Sequence, residues 1–290
     1  MATTTMSPGI KVTPPSLLRR LVGWIPLVLL SLLLLVMLFP LLLVVISSFK
    51  TEAEYATNGP FALPQSLNFD VLTSTWQSTN YPVKLLNSAV ISIGTAILAT
   101  VLSLFNAFAI AIGKIRGRAA FLSFFLLAIT LPTEALIYPL YYMFKAVHLY
   151  DTQLSVILIT ATLHSAFGTY LMTTVLNSFP KELLEAARLD GATRMQLLWR
   201  VVVPLSMPSL SVLFVFFFIW TWNDFFLPLI FLISNAKQTV PLAVLSAQGE
   251  HGSVITTQAA ASLLGILPCI LFFIIFQRTL TRGVAVGSIK

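Results

Sequence analysis

The run Glu185-Ala-Ala-Arg-Leu-Asp-Gly-Ala-Thr-Arg-Met-Gln-Leu-Leu-Trp-Arg-Val-Val-Val-Pro204 is a charged insert between two long apolar segments. Working outward from it, the chain is 57% hydrophobic and only 9% charged over 290 residues, with a mean hydropathy of +0.92. Soluble domains carry about 25% charged residues, so this composition belongs in a bilayer. Six segments, near residues 21–46, 85–112, 119–144, 154–176, 209–233 and 255–277, are long and apolar enough to cross a hydrocarbon layer of roughly 30 Å. Backbone groups in lipid must find partners inside their own segment, and none of these runs alternates with period two. The expected fold class is therefore all-α, a polytopic membrane protein with six transmembrane helices.

The first segment is too long for a signal peptide, and Ser47-Ser48-Phe49-Lys50 offers no small-x-small cleavage pattern, so it reads as a retained anchor. The expected organisation is an N-terminal tail over 1–20, unordered to residue 16; a first helix over 21–46; and an extracytoplasmic connection over 47–81. A five-helix domain over 82–277 follows, carrying the charged loop at 177–208, and then a tail over 278–290. Of the 17 Lys and Arg residues, thirteen fall on one side of this arrangement and four, Lys50, Lys84, Lys145 and Lys237, on the other. Positive residues are retained in the cytoplasm, which places both termini and the charged loop there. The same distribution explains the net charge of +7 without nucleic acid, because the basic residues mark loop ends and form no continuous patch. Pro132, Pro139 and Pro228 predict kinks, and Gly94, Ser103 and Ala107 predict close helix approach. Cys269, the one cysteine, reads as a packing residue.

Within the charged loop, Ser178 and Pro180 predict a helix start and Gly191 a helix end. Thr193 with Gln196 forms a capping-box pattern that starts a second helix, which Pro204 and Pro208 are expected to stop. Met195, Leu198, Trp199 and Val202 recur on one face and are expected to be buried, leaving the first helix outward.

The spacing Glu-Ala-Ala, three residues, Gly, nine residues and a final aliphatic-x-aliphatic-Pro resembles the cytoplasmic loop of bacterial ABC importer permeases, with Val201 and Val203 at the aliphatic positions. The likeness covers roughly Pro82 to Lys290. Trp222-Asn223-Asp224-Phe-Phe-Leu-Pro228, Leu131-Pro132-Thr133-Glu134, Leu149-Tyr150-Asp151-Thr152 and Phe276-Gln277-Arg278 onward are similar to the carbohydrate-uptake branch, in particular its smaller permease. The tail departs from the commoner pattern at Gly283-Val-Ala-Val-Gly287. The resemblance implies a type I ABC importer permease fold in the inner membrane. It implies a second homologous permease, two ATPase subunits, an extracytoplasmic solute-binding protein and a sugar cargo. It assigns ATPase coupling to Glu185, Ala186, Ala187, Arg188, Asp190, Gly191 and Pro204. ATP and Mg would be used by the partner ATPases, since this sequence has no phosphate loop and Gly113-Lys114 lacks the rest of one.

Glu134 and Asp224 fall within predicted spans, where a lipid-exposed carboxylate costs about 2.5 to 3.5 kcal/mol, so both should face the interior. Each lies 15 residues beyond its predicted cytoplasmic entry, Ala119 or Ser209, or about 22 Å up a straight helix. They are expected to share a polar cavity on a translocation path with Tyr138, Trp222 and Asn223; the bland alternative is a polar clasp between helices. His148, His164 and His251 are scattered, so no metal site is expected, and no catalytic constellation or cofactor-binding pattern stands out. The rival function is a self-sufficient carrier in which Glu134 and Asp224 couple protons or sodium.

Overall fold

A computed structural model describes residues 17–113, 115–246 and 254–286, with side chains placed between 24 and 278 in those stretches. The expected unordered stretch 1–16, Lys114, His251 and the end of the C-terminal tail lie outside the described residues. Among the described residues there is no strand, and five helices are long and apolar enough to span a membrane. They are α1 (Leu17–Ser48), α4 (Tyr81–Ala111), α7 (Gln153–Asn177), the helical run Arg194–Trp222 and α13 (Ile255–Val286). Two short helices, α2 (Glu52–Asn58) and α3 (Asp70–Ser78), occupy the first long connection.

The third predicted span is a correction. It consists of α5 (Arg118–Thr130) and α6 (Thr133–Ala146), bent by 98° rather than gently kinked. A residue before proline is pushed out of the α region. Leu131 accordingly takes ψ 125 and Pro132 ψ 129, two extended residues that break the helix. Pro139 leaves α6 continuous.

The fifth span is a second correction. α9 (Arg194–Leu197), a π-helical turn (Leu198–Val202) and α10 (Val203–Trp222) run on as one helix, so Pro204 and Pro208 do not stop it. The wide turn, in which Val203 donates to the Leu198 carbonyl, precedes Pro204, whose missing N–H would otherwise interrupt the ladder. The span thus begins 15 residues before the predicted Ser209 and ends at Trp222 rather than Ile233. Beyond it come α11 (Phe226–Phe231), with Pro228 in its first turn, and α12 (Val240–Ser246).

The main core is built where α4, α7 and α10 pack, with Ala96, Ala99, Ala107, Ala161, Met172, Leu213 and Phe217 buried. Small residues let the backbones approach. Gly168 is the closest point, since a Cβ there would lie 2.1 Å from Ser103 Oγ. Ser103 Oγ donates to the carbonyls of Ala99 and Ser165, so its polarity is satisfied inside the packing. α1 lies apart. It packs against α13, and from Trp24 to Leu42 its residues are exposed, as expected for a helix that is apolar all round and solvated by lipid.

Candidate functional site: a charged turn and a membrane cavity

α8 (Lys181–Leu189) follows Pro180, while Ser178 instead ends α7, its hydroxyl donating to the Val175 carbonyl. Leu184 and Ala187 pack on the main core and leave Glu182, Glu185, Ala186 and Arg188 exposed. The helix closes through a double bond pattern: Gly191 N–H donates to the Arg188 carbonyl and Ala192 N–H to the Ala187 carbonyl, with Gly191 at φ 78. The reciprocal Thr193–Gln196 capping box then starts α9. Leu189, at the tip, is 88% exposed. Glu185 makes no ion pair among the described residues, so Lys181 does not neutralise it. Arg188 reaches the Ile112 carbonyl at 3.5 Å and lines two clefts of about 290 and 300 Å³ beside the end of α4.

The buried face of the following helix is rotated from the expected one. Leu197, Leu198 and Val202 are buried, whereas Met195 and Trp199 are exposed, Trp199 resting edge-on against Phe105 at 6.3 Å. Leu198 and Val202 are four apart, and Leu197 flanks them. Met195 and Leu197 both precede the π turn, so the rotation is already present in α9, where Leu197 rather than Met195 packs on the core.

Higher in the bundle, a cavity of about 260 Å³ lies between the start of α6, the middle of α7 and the end of α10. Glu134 and Asp224 both line it, with Thr133, Thr160, His164 and Trp220. The depth count behind their expected meeting does not hold, because Glu134 follows the 98° bend and Asp224 lies past a helix that begins at Arg194. Asp224 Oδ1 accepts from the Phe226 amide at 3.0 Å and more weakly from that of Leu227 at 3.4 Å. The other expected neighbours are elsewhere. Trp222 is buried against Phe218 at 5.6 Å, Asn223 Nδ2 donates to the Ile219 carbonyl, and Tyr138 is exposed beside Tyr142. No group of three His, Cys, Asp or Glu side chains among the described residues is placed to hold a metal.

Residues 105–286 match the family described as binding-protein-dependent transport system inner membrane component. The chain belongs to this family. It is similar to the trehalose transport system permease protein SugB of Mycobacterium tuberculosis, with 30% identity over 79% of this chain and 84% of the relative. It is similar also to the arabinooligosaccharides transport system permease protein AraQ of Halalkalibacterium halodurans, with 29% identity over 87% and 91%. A crystal structure of a bacterial ABC transporter involved in the import of the acidic polysaccharide alginate shares the fold, with a TM-score of 0.79, 22% identity, and coverage of 92% of this chain and 99% of that one. The chain is thus a multi-pass inner-membrane permease component of a transport system.

Thr160, His164 and Trp220 are among the cavity residues of this permease component that escaped the sequence reading, although helical rotation carries part of the signal. Thr160 is four residues before His164 on α7, so the two share a helix face; on α10, Trp222 is turned about 200° from Trp220, and it is Trp220 that lines the cavity, with Asp224 reaching it from beyond the helix end. A second unread feature is a clamp on the loop between α6 and α7. Asp151, at φ 56, accepts from the Ser234 hydroxyl and amide and pairs with Lys237 at 3.0 Å. Partial desolvation alone would raise the Asp151 carboxyl, but the Ser234 bonds and the Lys237 ammonium outweigh it and hold it at about 2. Tyr150 Oη donates to the Ile230 carbonyl, and Asn87 Nδ2 donates to the carbonyls of Ala236 and Gln238, tying the same loops together.

Proposed function

We propose that this chain is one of two homologous permeases of an ATP-driven carbohydrate importer, coupled to two ATPase subunits through the Glu185 to Pro204 segment and served by an extracytoplasmic solute-binding protein. The single observation that carries the coupling reading is the α8 turn. Glu185 and Ala186 stand exposed and unpaired, Leu189 is held out at the tip, and two capped helix ends fix the geometry. A single exposed leucine is ordinary on a surface, so the reading rests on the combination: an unpaired carboxylate beside small side chains on a turn whose two ends are capped, which leaves room for another protein surface to approach closely. The Lys/Arg asymmetry supports a cytoplasmic position for this turn and for both termini. The saccharide cargo rests on the relatives named for trehalose and arabinooligosaccharides. The route passes, in this reading, the cavity shared by Glu134 and Asp224.

ATP and Mg are bound by the partner ATPases; this chain supplies the docking turn and part of the path. The binding-protein-dependent family stands against the self-sufficient carrier. The test is uptake of labelled saccharide by right-side-out vesicles holding the whole assembly, with ATP enclosed or omitted. Uptake is expected to require ATP on the α8 side and to persist with a protonophore; collapse of uptake with the proton or sodium gradient alone would sink the reading. Glu185→Lys is expected to lower ATPase co-purification and uptake at least tenfold while membrane insertion stays normal.

A further inference from the structure

We infer that the cavity between Glu134 and Asp224 sorts cargo by charge, accepting a neutral or amino-bearing saccharide and turning away uronates and sulfonated sugars. The inference rests on the route reading above and adds to it the class of cargo.

The lining carries two carboxylates and no lysine or arginine. Among the described residues no cation pairs with either of them. Lys145 is 11 residues further along α6 from Glu134, about 16 Å of helix, and donates to Tyr141. Lys237 is held by Asp151. Glu134 makes no hydrogen bond among the described residues, and one oxygen of Asp224 is left over after its two backbone amides. Asp224 is half-buried beside Leu163 and Leu227, where charge is screened less than in water, whereas Glu134, expected to face the interior, is exposed at the opening of the cavity.

A second, independent feature points to a polar occupant. Thr160 is only 2% exposed, lines the cavity, and its hydroxyl has no partner; His164 Nδ1 is likewise buried and unpartnered. Most buried polar atoms are paired, so two unpaired atoms on one wall leave hydrogen-bonding capacity for something that enters. His164 is fixed by stacking on Phe217 at 5.5 Å and by an edge contact with Trp220 at 5.4 Å, which holds its imidazole in place. Sugar hydroxyls donate to carboxylates, accept from threonine, and lay a C–H face on an indole such as Trp220. An anionic sugar would meet the same groups with a desolvated repulsion that no contact on the wall offsets. Nothing in the fold itself imposes this choice, since the solved transporter of the same fold handles an acidic polysaccharide.

The experiment replaces Cys269, the chain's one cysteine, with alanine and introduces Thr133→Cys at the cavity lip. The assembled importer in proteoliposomes at neutral pH is treated with a cationic and an anionic methanethiosulfonate of similar size, each rate divided by that of a small free thiol. The cationic reagent is expected to react at least about tenfold faster, as negative fields concentrate cations by such factors. Glu134→Gln with Asp224→Asn, checked for assembly by size-exclusion chromatography, is expected to bring the ratio near one. Equal rates in the parent, or a ratio unmoved by the double substitution, would overturn the charge assignment and leave the route reading standing. No reaction with either reagent, with or without ATP, would instead remove the cavity from the route. A transported cargo that bears a carboxylate or sulfonate would also overturn the assignment.

Discussion

Single side chains decide how this bundle closes. Gly168 faces Ser103 and Phe217, and a Cβ would meet them at 2.1 and 2.8 Å. Gly168→Val is therefore expected to destabilise by at least about 1–3 kcal/mol through overpacking, read as a lower melting temperature of the detergent-solubilised protein. An unchanged melt would mean that α4 and α7 separate freely. Asp151 makes the opposite kind of contribution, electrostatic and pH-dependent. Its carboxyl sits at about 2, below the ordinary 3.8, so the folded state binds its proton later than the unfolded chain. The stability it contributes is complete above about pH 4 and is lost as pH falls toward 2. Asp151→Asn should lower the melting temperature at pH 7, with the gap to the parent narrowing as pH approaches 2; a gap independent of pH would contradict the clamp. The carboxylates of the cavity were legible from their rarity in apolar spans. Its tryptophan was not, because adjacency in sequence favoured Trp222, whereas helical rotation gives the wall to Trp220.

Elements show which signals are local. The Thr193–Gln196 capping box and the Gly191 turn form as read, since each depends on a few neighbouring residues. A Cβ built on Gly191 meets nothing within 4 Å, so a substitution acts through the left-handed backbone, and proline in addition removes the N–H that bonds the Arg188 carbonyl. Gly191→Asn, which tolerates that region, should keep ATPase binding near the parent level. Gly191→Ala should weaken the turn by about 1–2 kcal/mol, and Gly191→Pro, with φ locked near −65°, should abolish it. Pull-down of the ATPase across this series checks the order, and equal binding by all three would dismiss the turn as a docking element. The 98° break at Leu131-Pro132 and the π turn before Pro204 were beyond local reading. Proline marks where a ladder is interrupted, but packing decides whether the chain bends through a right angle or widens one turn and goes on. The face containing Met195 and Trp199 was misjudged because spacing alone marks an apolar stripe without its centre, and packing chose Leu197, Leu198 and Val202 for the core.

At the scale of the molecule, composition led to the membrane class, and the length of the apolar runs with their lack of period-two alternation to the helical architecture, because the bilayer permits so few alternatives. α1 illustrates the outcome, with Trp24 62% exposed at one end of a leucine-rich helix. In vesicles of brominated lipid, the fluorescence lost on Trp24→Phe should belong to the strongly quenched fraction; an unquenched Trp24 would mean that protein covers this helix. The continuous helix from Arg194 to Trp222 has a mechanical consequence. Its 29 residues extend about 44 Å, with the capped turn at its foot and Asp224 two residues past its head. A lever of this length converts a small tilt at the foot into a larger sweep at the head, where one wall of the cavity is carried. On the coupling reading proposed above, the π turn near its base is where this helix is expected to flex, and stiffening Leu198 to Val202 is expected to change what a movement at the foot does to the cavity wall, with Glu185 and both cavity carboxylates left unaltered.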